Sequence, residues 1–253
     1  MRLLAWKNGN VIEAAKLSLE HPYVMQRVHS LNHKAYSVAH HVEVLREASM
    51  RLFGFASRCG AADAQRIIDK LLEHSRVSPS LSTPIAMRID CTGELTFEVE
   101  APLYNTGIYL RAKRLVGETI QMEAPTVNCQ TSATIATDAM AHAIVKWHGG
   151  DTPIWVDSNN YVISLPWQPI FTIHNNKVYT PCKLNTVEYT NVAQALRRQE
   201  LDLIVRDIPA DSLQRMNEIF LADIMAVTSL SAIKNNRLLS VITSRIVDKM
   251  EPK

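Results

Sequence analysis

The sequence predicts an α+β fold in two parts. Three observations carry this prediction: short apolar runs closed by turn-forming residues, stretches of apolar residues at helical spacing, and one polar, proline-containing segment near the middle of the chain. We place the boundary near residue 120. Residues 1–120 are then an N-terminal α+β domain, and residues 121–253 are a C-terminal β-rich domain with helices.

The N-terminal half is predicted to combine strands with two helices. Two short runs flank an Asn-Gly-Asn turn and predict an opening hairpin, and four further segments have strand character. The predicted strands cover residues 3–7, 11–15, 24–31, 84–91, 95–99 and 107–115. Apolar residues recur at helical spacing over residues 41–55 and 61–74, which predicts two amphipathic helices.

The C-terminal half is predicted to follow a linker over residues 118–130, which contain Pro125. A helix over residues 132–147 ends at Gly149 and Gly150, because glycine favours helix termination. Two hairpins, a helix, a strand, an apolar segment and two closing β-like runs complete the chain. The predicted bounds are 154–156 with 161–163 and 170–173 with 177–179 for the hairpins, then 187–199, 203–206 and 219–222.

Composition excludes several classes of protein. The 253 residues are 47% hydrophobic and carry a net charge of +2 from 27 basic and 25 acidic residues spread along the chain, so no nucleic-acid or membrane partner is predicted. No apolar run reaches the roughly 18 residues of a membrane span, and the apolar part of residues 1–10 is too short for a signal peptide, so neither is predicted. Four scattered cysteines without a Cys-x-x-Cys pair favour reduced thiols in a cytoplasmic protein.

Several short motifs occur in an order that resembles the fold-type IV pyridoxal-phosphate (PLP) enzymes, the class IV aminotransferases. This family includes branched-chain and D-amino-acid aminotransferases and aminodeoxychorismate lyase. The N-terminal matches are Asn8-Gly9, Arg27-Val28-His29, residues 41–45 (HVEVL) and residues 52–54 (LFG). The C-terminal matches are Gly149-Gly150-Asp151, Asp157, Asn160-Tyr161-Val162, Ile170-Phe171, Thr180-Pro181 and residues 217–221 (NEIFL). The resemblance implies an N-terminal α/β sandwich, a C-terminal pseudo-barrel, a homodimer and a cleft between the domains.

The family's chemistry needs a lysine that forms a Schiff base with PLP. By resemblance this lysine falls near Asn128 to Thr131, and neither those residues nor any other between Lys113 and Lys146 is lysine. Lys113 and Lys146 themselves are interpreted as solvated surface residues. The sequence therefore predicts no catalytic lysine in this segment.

The family also places a carboxylate at the pyridine nitrogen, and the matching residue here is Ser164. A hydroxyl cannot supply a counter-charge to a pyridinium. Residues 165–169 (LPWQP) replace a glycine-rich segment and predict a packed strand bend.

The family's phosphate loop is replaced as well. Asn185 and Glu188 have the spacing of a capping box at the start of a helix, where Glu188 would repel a phosphate. Ala222-Asp223 stands in place of a Gly-Thr pair. Arg27 is the surviving match to a phosphate ligand, so Arg27, Ser164, Asn185 and Thr186 are the remaining candidates for contacts to a cofactor or a small anionic molecule.

These departures leave three hypotheses for function. The first is a non-transaminating ligand-binding or regulatory homologue. No resident cofactor is predicted for it, and PLP is implied only by the resemblance. The second is an active PLP-dependent aminotransferase or aminodeoxychorismate lyase with a relocated lysine. The third is another reaction that uses Cys129, Ser164 or Glu188, with His142 or His148 as a base for Cys129. His29, His33, His40 and His41 cluster in sequence, as metal ligands can, but no metal site is predicted for them.

Overall fold

The computed structural model describes residues 3–103 and 110–250, with only the backbone at residues 110 and 111. Part of the strand predicted over residues 107–115 lies outside the described residues. The chain forms two compact units. Of the described residues, the first unit contains 3–103 and 127–133, and the second contains 110–126 and 134–250. The boundary predicted at residue 120 falls inside a strand of the second unit.

The first unit is a sheet that carries two helices on one face. Its strands are β1 (Leu4–Lys7), β2 (Asn10–Glu13), β3 (Tyr23–Leu31), β4 (Lys34–Ala35), β5 (Thr83–Asp90), β6 (Leu95–Val99) and β9 (Gln130–Thr131), and its helices are α1 (Val38–Phe53) and α2 (Ala61–His74). The strand order is β2-β1-β6-β5-β3-β4, and β9 also pairs with β3.

Side chains alternate between the two faces of this first sheet. Val24 and Val28 on β3 join the buried apolar cluster that α1 and α2 complete. Gln26 lies on the same face, where its Oε1 is 2.8 Å from Nδ1 of His41 on α1. Arg27, which lies between them in sequence, is therefore on the opposite face.

The second unit is a larger sheet with helices. Its strands are β7 (Leu110–Arg111), β8 (Leu115–Gln121), β10 (Thr152–Val156), β11 (Ile170–His174), β12 (Lys177–Thr180), β13 (Leu203–Val205), β14 (Glu218–Ala222), β15 (Ala226–Ile233) and β16 (Asn236–Arg237). The helices are α3 (Ser132–Trp147), which begins in the first unit, α4 (Val187–Arg198) and α5 (Val241–Val247), with a short 3-10 helix at Ala210–Arg215; another 3-10 helix, Ala14–Lys16, belongs to the first unit.

Both faces of the second sheet are covered by apolar side chains. The order is β10-β8-β15-β14-β11-β12-β13, with β16 and β7 paired to β15. Ile170 and Ile219 belong to one buried cluster, whereas their neighbours Phe171 and Phe220 stack with ring centroids 5.0 Å apart in a second cluster that includes residues of α4 and α5. This alternation explains why strands here are apolar on both sides.

Three predictions of local structure differ from what is observed. Residues 118–121 of the predicted linker lie in β8. Residues 161–163 form no strand, although the Ile163 amide donates to the Trp155 carbonyl at 2.8 Å and Val162 forms an isolated antiparallel bridge with Val156 at the end of β10. The N-cap of α4 is Thr186 rather than Asn185, since the Thr186 hydroxyl accepts the hydrogen bond from the Tyr189 amide.

Candidate functional site

Arg27 lies in a charged network on the helix-free face of the first sheet. Its Nε donates to both oxygens of Glu100, at 3.2 and 2.9 Å, and its Nη1 donates to Oε1 of Gln130 at 2.7 Å. A second guanidinium, that of buried Arg88, lies 2.8 Å from Glu98 and 3.8 Å from Glu100. The predicted anion ligand is thus held by a carboxylate and an amide.

The segment between Asn128 and Thr131 reaches this network through strand pairing. Met25 pairs with Gln130, and Val24 pairs with Thr131, which places β9 beside β3 and puts the Gln130 side chain against Arg27. Sequence reasoning identified this segment only by the absence of a lysine. Neither Gln130 nor Glu100 was predicted as a partner of Arg27, because they are 103 and 73 residues away in the chain.

Cys129 does not have the properties of a nucleophile. It is fully buried, and burial raises the pKa of its thiol to about 12, although a hydrogen bond with the Met25 backbone opposes this shift. The thiolate, which is the nucleophilic form, is therefore scarce at neutral pH. In the second unit, Nδ1 of His148 lies 3.2 Å from Glu118, and Lys113 and Lys146 are both exposed.

Ser164 is a buried residue of the second unit. Its hydroxyl accepts a hydrogen bond of 3.2 Å from the Ile170 amide, at the point where β11 begins. The following residues turn back at a bridge between Leu165 and Gln168, and the indole of Trp167 packs edge-on against that of Trp155, with ring centroids 6.2 Å apart. These residues form a closed, packed bend.

The beginning of α4 brings Thr186 and Glu188 together. Thr186 is buried and accepts from the Tyr189 amide at 3.4 Å, whereas Asn185 is exposed. Glu188 is only 5% exposed, and burial raises the pKa of its carboxyl to about 7, with a smaller contribution in the same direction from Asp223. Among the described residues, Oε2 of Glu188 has no hydrogen-bond partner. This helix start thus holds a buried carboxyl group.

Asp223 occupies the turn between β14 and β15. Its Oδ1 accepts hydrogen bonds from the amides of Met225 and Ala226, at 2.7 and 2.6 Å. The Asp223 side chain consequently occupies two backbone N–H groups of this turn. The resemblance matches the turn to the family's Gly-Thr pair.

Other motif residues of the resemblance have structural roles. Gly149 has a φ of +86° just past the end of α3, and the Gly150 amide donates back to the Val145 carbonyl at 3.0 Å. Asp157 accepts from the amides of Asn159 and Tyr161 at 2.9 and 2.8 Å.

Asp151 and Glu218 also accept hydrogen bonds from backbone amides, but from amides that are distant in the sequence. Asp151 accepts from the Val116 amide at 2.8 Å and so fixes the start of β8. Glu218 accepts from the amides of Ile242 and Thr243, both at 2.8 Å, and thereby caps α5. Both motif positions therefore hold backbone amides in place, and Glu218 also accepts from the Thr243 hydroxyl at 2.8 Å.

Two histidines of the sequence cluster, His29 and His41, have different hydrogen-bond partners. His41 bonds to Gln26, and burial lowers the pKa of its ring to about 3, while Nε2 of His29 lies 3.2 Å from the Ser82 hydroxyl. Within residues 3–103 and 110–250, no group of three or more His, Cys, Asp or Glu side chains is placed to hold a metal ion. Over the same residues, no helix has the length and apolar character that crossing a membrane requires.

Comparison with known proteins agrees with the fold. A branched-chain aminotransferase from Thermoproteus uzoniensis superposes with a TM-score of 0.81 at 15% identity, covering 98% of this chain and 93% of that chain. A PLP-bound aminotransferase from Brucella abortus gives 0.82 at 13% identity, covering 98% of both chains. A putative 4-amino-4-deoxychorismate lyase from Legionella pneumophila gives 0.75 at 12% identity, covering 89% of each. The predicted fold-type IV architecture is thereby confirmed.

Sequence comparison places the chain in a family. No curated protein matches it. The family model described as amino-transferase class IV, however, matches residues 24–229, which is most of the sequence. The chain therefore belongs to the class IV aminotransferase family.

Proposed function

We propose that this protein is a non-transaminating member of the class IV aminotransferase family, which acts as a ligand-binding or regulatory homologue and forms no Schiff base with PLP. The observation that carries the proposal is the bond of 2.7 Å from Nη1 of Arg27 to Gln130. Gln130 lies in the segment where the resemblance expects the lysine, and its amide oxygen is engaged by the one matched phosphate ligand.

The pyridine ring of PLP finds no counter-charge in the matching residue. A carboxylate keeps the ring nitrogen protonated in the family, and this protonation lets the ring withdraw electrons. Ser164 carries no charge, is buried and already accepts a hydrogen bond from the Ile170 amide. Residue 164 therefore does not fit the pyridinium.

Two of the positions that match the family's phosphate contacts, Glu188 and Asp223, are acidic. A helix N-terminus binds an anion through its free amides and its dipole. At the start of α4 the Thr186 hydroxyl accepts from one of these amides, and the carboxyl group of Glu188 is buried beside it. Asp223 takes up two further amides in the turn after β14. A phosphate would meet the negative charge of Asp223 and, as the pH rises above about 7, that of Glu188, so the residues present do not fit PLP.

We further propose that the protein is a cytoplasmic homodimer that binds a small anionic molecule at Arg27. The Arg27 side chain is 38% exposed, and the four cysteines are free thiols. Helix α3 supports dimerisation because Met140, Ile144 and Trp147, at 61, 37 and 88% exposure, form an apolar stripe at helical spacing. The Trp147→Glu variant should then sediment as a monomer, and an unchanged mass would count against this interface.

A titration with PLP tests the main proposal. Purified protein mixed with PLP should show no aldimine absorption beyond that of an equal concentration of exposed lysines, and no transamination of a panel of amino acids. A double variant, Lys113→Arg with Lys146→Arg, should behave in the same way. A stoichiometric visible band in the wild type, lost in this double variant, would favour the relocated-lysine hypothesis.

A further inference from the structure

A cavity of about 850 Å³ opens on the helix-bearing face of the first sheet. It lies between the loop that joins α1 to α2, helix α2 itself and strands β1, β5 and β6. Trp6, Phe55, Ile67 and Leu95 line it and are half-buried, and buried Ile89 completes the apolar lining. This volume and the largely apolar lining are typical of pockets that bind small molecules.

This cavity is separate from the Arg27 network. Ile89 pairs with Val24 across the sheet, so both lie on the face that packs against α1 and α2. Arg27 is an odd number of residues from Val24 and lies on the other face. The sheet itself thus separates the cavity from every residue that matches the family's cofactor contacts in this unit.

The rim of the cavity is rich in positive charge. Arg58, Arg66 and Lys70 line it, together with the single carboxylate Asp63, which forms an ion pair with Arg66. In the part of the chain that the structure describes, neither the guanidinium of Arg58 nor the ammonium of Lys70 has an ion-pair partner. Cys59 also lines the cavity, and burial raises the pKa of its thiol, so it adds no negative charge at neutral pH.

We propose that this cavity is a second ligand site, for a small carboxylate with an aromatic or bulky aliphatic body. The apolar body would pack against Trp6, Phe55 and Leu95, and the carboxylate would lie at the rim between Arg58 and Lys70. The two unpaired cations select against neutral and cationic ligands of the same shape, because only an anion gains from them. This site goes beyond the proposed function and uses none of its residues.

Nuclear magnetic resonance titration with indole-3-acetate tests the site. The indole N–H signal of Trp6, assigned with the Trp6→Phe variant, and the amides of Cys59, Gly60 and Gly93 should shift together as the ligand is added. Indole-3-ethanol and tryptamine, which are the neutral and cationic analogues, should bind in that order of decreasing affinity. Shifts confined to α3 or to residues around Arg27 would overturn the proposal.

Charge variants provide the second part of the test. Arg58→Gln and Lys70→Gln should each weaken binding of indole-3-acetate by about two- to fivefold, the effect of one exposed charge pair, and should leave indole-3-ethanol unaffected. Arg51→Gln, an exposed cation on α1 that does not line the cavity, is the matched control. All three side chains are exposed, so the variants should fold normally. If the double variant Arg58→Gln with Lys70→Gln bound indole-3-acetate as tightly as the wild type does, the rim would not select an anion.

Discussion

The motif positions that shape turns keep the family's residue types in this chain, whereas the positions that the resemblance matches to the family's reactive groups do not. Gly149, Asp151 and Asp157 occupy places where a backbone conformation or a backbone amide fixes the residue type. We propose that Ser164 stands where the family has its pyridine carboxylate, and that Gln130 lies in the segment, near Asn128 to Thr131, where the resemblance expects the lysine. The first group needs only the fold of its own unit, whereas the second group needs a bound cofactor.

This difference indicates that many of the residues by which a family is recognised can serve to stabilise its fold and not its chemistry. Asp157 bonds to two amides of its own turn, and Glu218 caps a helix that begins 23 residues later in the chain. Losing such a bond leaves backbone groups without partners, which costs free energy whatever the protein binds. Residues that contact only a cofactor carry no such cost, so their replacement leaves the fold intact.

Glu188→Gln should have the largest effect, and the effect should depend on pH. Burial raises the pKa of the Glu188 carboxyl from 4.5 to about 7 in the folded protein, so folding takes up a proton between these values. The free energy of unfolding of the wild type should therefore fall as the pH rises through this window, by up to about 3 kcal/mol. The uncharged variant should not show this loss.

Urea unfolding at pH 5 and pH 8 measures this prediction. The Glu188→Gln variant and the wild type should be similar at pH 5, and the variant should be the more stable at pH 8. Glu43→Gln, at an exposed site on α1, is the control for the exchange of a carboxylate for an amide. A variant that is less stable than the wild type at pH 8 would mean that ionised Glu188 is well accommodated, as a bound cation would require.

Gly150→Ala tests a turn position and should have the next largest effect on stability. A Cβ atom at Gly150 would lie 2.7 Å from Cγ1 of Val145 and 3.2 Å from Cβ of Glu118. Overpacking of this kind should destabilise the protein by about 2 kcal/mol, measured by thermal or urea unfolding.

The neighbouring Gly149 supplies the matched control. A Cβ atom there meets nothing within 4 Å, although its φ is +86°. Gly149→Asn should cost less, about 0.5 to 1 kcal/mol, because asparagine tolerates the left-handed region. If Gly150→Ala were the milder of the two, the close packing of this motif against β8 would not be what fixes the glycine.

Gln130→Lys should have a smaller effect and tests the other group of positions. The new ammonium would lie where an amide oxygen now accepts from Nη1 of Arg27 at 2.7 Å, so two cations would meet. We expect Gln130→Lys to be less stable than Gln130→Met by about 0.5 to 1 kcal/mol at low salt, and the difference to shrink as salt is added. Equal stabilities in low salt would show that the network around Arg27 can accept a lysine.

The sequence was sufficient for elements whose signal is local. The bounds of α2, α3 and β6 agree with the predicted ranges because the apolar periodicity lies within each segment, and because Gly149 follows closely after α3. Helix α5 was not predicted, since its seven residues are rich in β-branched types and its cap, Glu218, lies outside it. The 161–163 strand was wrong because this segment forms only isolated bridges, from Val162 to Val156 and from Tyr161 to the distant Pro209.

The candidate site was predictable in part for the same reason. The absence of a lysine and of a carboxylate at residue 164 is a property of the sequence alone. The bonds of Arg27 to Glu100 and Gln130, and the burial that raises the pKa of Glu188, arise only when distant segments pack together. Half-buried Trp6 and Phe55 gave no local signal of the cavity that they line.

Borohydride reduction in the presence of PLP tests the central claim most directly, because it converts any Schiff base into a stable bond that peptide mapping can locate. Wild-type protein should carry no more label on any lysine than the same chain unfolded in urea does. Stoichiometric labelling of one lysine in the folded protein, absent from the unfolded chain, would contradict the claim that this family member has lost its Schiff-base chemistry.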